Sequence, residues 1–143
     1  MAQMYPSHLD QSVARSERDV YKSLQYGLND NWHVIHSRRF VIPAIQGQRA
    51  REGELDFLIV HPRKAIIALE VKGGREIGKD EHGWYSIPHD RDEKNRIKDP
   101  GRQVQDSIRS LLAYVENQAR IPELAQLPFC WGVAFPGMEI DRG

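Results

Sequence analysis

The sequence predicts a single α/β domain built on a mixed β-sheet flanked by helices, in the order helix, strand, strand, strand, helix, strand. Three observations predict it. Apolar residues recur at helical spacing after Ser12 and again after Asp99. Two apolar runs, Glu54 to His61 and Ala65 to Lys72, sit either side of Pro62-Arg63-Lys64. A last apolar run, Phe129 to Phe135, is bounded by Pro128 and Pro136-Gly137.

The first helix is expected from about Ser12 to Leu28. Val13, Glu17, Val20, Tyr21, Leu24 and Leu28 recur three and four apart, which stacks them on one side, and Asn29-Asp30-Asn31 ends the run. Trp32 to Ser37 reads as a strand, extended by Phe40 to Ile42 before Pro43, and Gly47 to Gly53 as a polar loop. The two apolar runs of the hairpin follow. Residues 73 to 99 are charged and Gly-rich, so a long loop is expected there, with one short strand at Trp84-Tyr85-Ser86-Ile87; a loop of that length is often functional. Asp99 before Pro100 supplies an N-cap and a first helical position. Val104, Ile108, Leu111, Leu112 and Val115 form the buried stripe of this second helix.

The chain of 143 residues is long enough for one well-filled core, and its 40% hydrophobic and 28% charged residues are ordinary for a globular protein. No apolar run reaches the length of a membrane span, and Met1 to Asp10 lacks the build of a signal peptide. The lone Cys130, in the run Phe129-Cys130-Trp131, excludes an internal disulfide; it is expected to be a buried, inert thiol in a cytoplasmic protein. Twenty basic and 20 acidic residues balance, which argues against coating nucleic acid by bulk charge. A local basic surface remains open to Arg38-Arg39, Lys94, Lys98 and Arg102, although a solvated face accounts for any one cluster alone.

The hairpin carries the chemistry. If His61 pairs with Ala65 across the three-residue turn, Asp56 falls opposite Glu70 and Glu54 opposite Lys72. Opposed residues share a face, with β-carbons roughly 4.5–5.5 Å apart. Leu55, Phe57, Ile59, Ile67, Leu69 and Val71 occupy the other face. Four charges then cluster at one end of a buried hairpin. Two carboxylates so placed repel each other and lose hydration, and a divalent cation with oxygen preference, Mg²⁺, relieves both costs. Such a site can activate water and polarise a phosphoryl oxygen, with Lys72 orienting or deprotonating the water or stabilising the phosphorane. The structural alternative is a charged sheet edge with ordinary Glu54–Lys72 and Asp56–Lys72 pairs. The six histidines show no ligand-like pair on a helix, so no zinc site is read.

Asp56 followed by Glu70-Val71-Lys72 resembles the D…(D/E)-x-K signature of restriction-endonuclease-like nucleases. More narrowly, the chain resembles the nuclease-related domains. Gly53-Glu54-Leu55-Asp56, Leu69-Glu70-Val71-Lys72-Gly73-Gly74, Gly83-Trp84-Tyr85 and Asp99-Pro100-Gly101-Arg102-Gln103 carry the likeness, across about residues 12 to 136. The family usually has asparagine where Asp99 stands, a mild departure that keeps the capping ability. The resemblance implies a restriction-endonuclease-like core and a metal-dependent deoxyribonuclease, with Asp56 and Glu70 holding Mg²⁺ (Mn²⁺ as substitute) and Lys72 assisting. It also implies a further carboxylate from Glu17 and a role for Gln103. The helical pattern turns Glu17 inward, or leaves it at the rim reaching solvent. Gln103, on the flank of its helix's stripe, contacts the site or is a plain surface glutamine. The resemblance further suggests fusion to a helicase or another module, and residues 137–143 are expected to begin a linker. A nuclease-like fold kept for nucleic-acid binding or domain interaction without turnover is the alternative, and retention of Asp56, Glu70 and Lys72 speaks for turnover. RNA as substrate stays open, because nothing in the sequence reads a 2′-hydroxyl.

Overall fold

The computed structural model describes residues 1–42, 51–114 and 126–138, with backbone alone at 37–42, 51–54 and 112–114. Strand β1 (Gln3–Tyr5) precedes helix α1 (Arg15–Gly27) and strands β2 (His33–Ile42), β3 (Arg51–His61) and β4 (Ala65–Val71). Strands β5 (Glu76–Asp80), β6 (Gly83–Ile87) and β7 (Asn95–Arg96) lead to helix α2 (Pro100–Tyr114) and strand β8 (Phe129–Ala134). The main sheet has the order β1-β2-β3-β4-β8, and β5-β6-β7 form a second sheet. The central ladders β2–β3 and β3–β4 are antiparallel, while β1 joins β2 and β8 joins β4 in parallel. The expected α/β architecture with a mixed sheet is therefore present. Among the described residues no helix is long and apolar enough to cross a membrane.

The turn sets the hairpin register as predicted. His61 pairs with Ala65, the Lys64 amide donates to the His61 carbonyl at 3.1 Å, and the Arg63 amide donates to His61 Nδ1 at 3.1 Å. Alternation then sorts side chains between two cores. Phe57, Ile59 and Val71 pack with Val34, Met4 and the α1 residues Val20 and Tyr21. On the other face Ala68 packs with Val104 and Ile108 of α2. Leu55 departs from the expected face and joins the α2 cluster. Both faces of the hairpin are thus covered by helices, and charge on it is tolerated only at an end.

Several expected boundaries move. The first helix begins at Arg15, because the Asp10 carboxylate holds Ser12 in a turn, accepting from its amide at 2.8 Å and its hydroxyl at 2.7 Å. Of the loop expected at 47–53, residues 47–50 lie outside the described residues, and Arg51, Glu52 and Gly53 are strand, paired with Ile42, Val41 and Phe40. The expected long loop at 73–99 contains a small three-stranded antiparallel sheet, in which β6 takes in the one short strand expected at 84–87. Its β5–β6 turn uses Gly83 at φ +111°, and its third strand is tied down by Arg96, which grips Asp80 with both terminal nitrogens at 2.7 and 2.9 Å. Strand β4 is interior, between β3 and β8, and the middle of the sheet is β3. Cys130 is exposed, since β8 is an edge strand. The short β1 has no periodic signature of its own and was not anticipated.

Helix α2 starts as its sequence demands. Asp99 Oδ1 accepts from the Arg102 amide at 3.1 Å, and the Asp99 carbonyl accepts from Gln103 at 3.0 Å. Val104 and Ile108 are buried and Leu111 is half-buried; the side chain of Leu112 and all of Val115 lie outside the described residues. Loss of the cap in Asp99→Ala is expected to cost about 1 kcal/mol. Urea unfolding checks this, with Asp99→Asn close to wild type, because asparagine caps equally well.

Candidate active site

The ladder between β3 and β4 ends at Phe57–Leu69, before the acid pair. Beyond it the strands separate, and Asp56 Oδ2 accepts the Val71 amide at 2.8 Å. The carboxylate thus takes a backbone donor that a continued ladder would have used. Strand β4 stays paired only with β8 there, through Glu70–Val133, Val71–Ala134 and the Lys72 amide bonded to the Ala134 carbonyl at 3.0 Å. The simple cross-strand pair expected from the hairpin sum is therefore replaced by a splayed end. Asp56 and Glu70 nonetheless remain within hydrogen-bonding reach of each other.

Both acids resist ionisation. Burial pushes the Glu70 carboxyl up to about 7, and the neighbouring Asp56 charge adds to the effect. Asp56 is raised chiefly by burial and further by the negative charge of Glu17, against the opposing pull of the Val71 amide and Lys72. Lys72 lies across the pair, its Nζ 3.3 Å from Glu70 Oε1 and donating to Gln103 Oε1 at 3.1 Å. Gln103 reaches this point because Asp99 fixes the first turn of α2 over the end of β4. Glu70, Lys72 and Gln103 therefore form one connected set across two elements.

The segment after Lys72 draws α1 toward the site. A β-carbon on Gly73 would stand 2.9 Å from Ser16 Oγ, and one on Gly74, at φ +125°, would stand 2.9 Å from the Ile87 carbonyl. The positive φ and backbone neighbour of Gly74 call for glycine, and a side chain at Gly73 would keep this approach only by displacing the Ser16 hydroxyl. The approach sets the first turn of α1 beside the splayed strands, with Glu17 turned inward. Glu17 Oε2 lies 2.7 Å from His36 Nε2, and His36 is 5% exposed. Sequence reasoning passed over His36, because a lone histidine in an apolar strand carries no motif. Its place opposite Phe57, next to Asp56, comes only with the β2–β3 register. A cleft of about 530 Å³ opens beside these elements, bounded by Arg15, Ser16, Gly73, Gly74, His89 and Gly137.

The donor set suits a hard divalent cation. Asp56 and Glu70 offer carboxylate oxygens whose ionisation is disfavoured first by burial and then by nearby negative charge, Glu17 at Asp56 and Asp56 at Glu70, which a cation between them would reverse. Among the described residues no three His, Cys, Asp or Glu side chains form a ready metal cage. Two carboxylates with water and phosphate completing the shell match the habit of Mg²⁺.

The basic residues separate into two groups. Arg38 and Arg39 stand opposite Leu55 and Glu54 in the ladder, one and two positions from Asp56; their side chains, like that of Glu54, lie outside the described ones. The Cα partner of Glu54 is Arg39, and β4 ends before Lys72, so the expected Glu54–Lys72 opposition does not form on the backbone. Lys98 and Arg102 are exposed beside the start of α2. Lys94 is engaged elsewhere, 3.1 Å from Asp80 and 4.2 Å above the Tyr85 ring.

Comparison with curated proteins and with solved structures returns no match for this chain. A mixed sheet flanked by two helices, with its acid pair and lysine at a splayed hairpin end, is consistent with a restriction-endonuclease-like core. The model of the nuclease-related domain family matches residues 12–134, most of the chain, and the protein belongs to that family.

Proposed function

We propose that the domain hydrolyses phosphodiester bonds in DNA, using Mg²⁺ held by Asp56 and Glu70, with Mn²⁺ able to substitute. The observation that carries this reading is the pair of buried carboxyls gathered beside Lys72 at the end of the hairpin, with the ionisation of both disfavoured by burial. A sheet end with only a structural role gains nothing from two buried acids set beside a single lysine, whereas a metal-dependent hydrolase does. The cation, when bound, polarises the phosphoryl group and lowers the pKa of water. Asp56 and Glu70 bind it and are kept ionised by doing so. Lys72, oriented by Gln103, has a donor left for the substrate; it holds the attacking water or the developing phosphorane charge. A water oxygen bonds to phosphorus and gives its proton to solvent, the bond to the leaving ester oxygen breaks, and that oxygen keeps the bonding pair and takes up a proton from solvent.

Arg38, Arg39, Lys98 and Arg102 supply phosphate contacts around the splayed end, and the cleft beside Gly73 and Gly74 receives the strand. Lys94 contributes only if DNA displaces Asp80. The test is incubation of the purified protein with labelled single- and double-stranded DNA, and with RNA, in Mg²⁺, Mn²⁺ or EDTA. DNA cleavage that needs the metal supports the reading. Binding with no cleavage under any metal overturns it in favour of a binding module, and cleavage confined to RNA overturns the choice of substrate.

A further inference from the structure

We infer that His36 is a positioning residue of this site: it holds the Glu17 carboxylate toward the Asp56–Glu70 pair and so raises the affinity of the pair for a divalent cation. The inference rests on the metal-site reading above and adds to it a residue outside the motif.

The geometry around His36 is over-determined. Its ring lies 4.8 Å from that of Phe57, its partner in the β2–β3 ladder, and 6.4 Å from Tyr21 in a T-shaped contact. Tyr21 is in turn anchored by donating from its hydroxyl to the Pro6 carbonyl at 2.7 Å. The imidazole therefore cannot turn away, and Nε2 is presented to Glu17 Oε2 at 2.7 Å, a distance typical of a charge-assisted hydrogen bond.

Glu17 has a competing option. It sits in the first turn of α1, and the N-cap residue Ala14 has no side chain able to cap. A glutamate at that position commonly reaches back to the backbone at its own helix start. Here it turns to His36 instead. There it lies on the side of the pair: its partner His36 stands opposite Phe57, the neighbour of Asp56, and Ser16, beside Glu17, stands against Gly73, the neighbour of Lys72. A carboxylate held near two others is unfavourable for stability alone. It becomes favourable once a cation is shared among them, with Glu17 acting through the outer shell. Groups that hydrogen-bond and orient the acids and histidines around a metal are typically worth about 10- to 100-fold in metal affinity.

Isothermal titration of the protein with Mn²⁺, read together with thermal unfolding, tests this. His36→Phe fills the space but cannot bond Glu17, and is expected to weaken Mn²⁺ binding about 10- to 100-fold. His36→Gln, which still presents a donor, should recover much of the loss. A histidine that only docks α1 on the sheet would lower the melting temperature of both variants and leave their Mn²⁺ affinity at the wild-type level; that result overturns the inference. Should His36→Phe fail to fold, Glu17→Gln decides, because it keeps the shape and the contact while removing the charge. Unchanged Mn²⁺ affinity in Glu17→Gln overturns the inference, and a loss of about 10-fold or more in that variant upholds it. Absence of Mn²⁺ binding by the wild type overturns the metal-site reading itself, and this inference with it, which distinguishes the two failures.

Discussion

Lys72→Met is expected to lower DNA cleavage by about 10² or more while leaving Mn²⁺ binding intact or tighter. Methionine keeps the aliphatic stem beside Glu70 and loses the ammonium that lies 3.3 Å from Glu70 and bonds Gln103. Both carboxylates of the pair survive, and a positive charge that competes with the cation is gone. The effect should reside in single-turnover chemistry rather than in DNA affinity. Gln103→Ala should show a smaller loss of the same kind, since Lys72 remains and only its orientation is relaxed. Lys98→Ala is the contrasting variant. An exposed lysine at the start of α2 should matter for phosphate contact, so its removal lowers the salt slope of binding by about 1 and spares the chemical step. If Lys72→Met cuts DNA at the wild-type rate, the catalytic role of this lysine is wrong.

The second large effect is on stability, and its sign is unusual for a carboxylate. The Glu70 carboxyl is held at about 7 in the fold against an ordinary 4.5, chiefly by burial and then by Asp56. Because the folded value is the higher one, the unfolded chain releases this proton first. Stability from this group therefore falls as pH rises from about 4.5 to about 7 and stays low above that, by up to about 3 kcal/mol at about 1.4 kcal/mol per pH unit. Asp56, raised in the same direction, adds to the fall. Asp56→Asn removes one of the two repelling charges, and its side-chain oxygen can still accept the Val71 amide. At pH 8 without metal this variant should be more stable than wild type, with the gap closing toward pH 4.5. Adding Mn²⁺ at pH 8 should raise the melting temperature of the wild type and not that of the variant. Urea unfolding with EDTA and with Mn²⁺ measures both quantities. A variant less stable than wild type at pH 8 would mean that the Asp56 charge is a structural asset and not a ligand held at a cost.

These expectations draw on parts of the protein that were legible to very different degrees. The hairpin was readable almost residue by residue, because a three-residue turn sets the pairing of His61 with Ala65 and period-two alternation then propagates from it. The start of α2 was equally local, since Asp99 and Pro100 satisfy backbone groups within one turn of themselves. The identity of the acid pair and of Lys72 followed from the same hairpin arithmetic. Glu17 was placed on the inward face of its helix by periodicity alone, though what it meets was not.

Tertiary structure decided the rest. Where the β3–β4 ladder stops depends on the helices packed on each face, and no local pattern of hydrophobicity marks the point at which Asp56 turns to bond the Val71 amide. Short β1 and β7 have too few residues to show a period, and are strands only because β2 and β6 offer them open edges. Cys130 was misjudged for the same reason. An apolar run states that a strand is there, but only the order of strands shows that β8 lies at the edge. The contact of Glu17 with His36 joins a helix to a strand 19 positions on, and Lys72 meets Gln103 from 31 positions away. The sequence by itself determined which residues are chemically capable and, along the paired part of the hairpin, which face each occupies, because turns, caps and alternation act over a few residues. Which of them meet was decided by the packing of α1 and α2 on opposite faces of one sheet, where burial of apolar area sets the positions and the polar groups must make their bonds with whatever arrives.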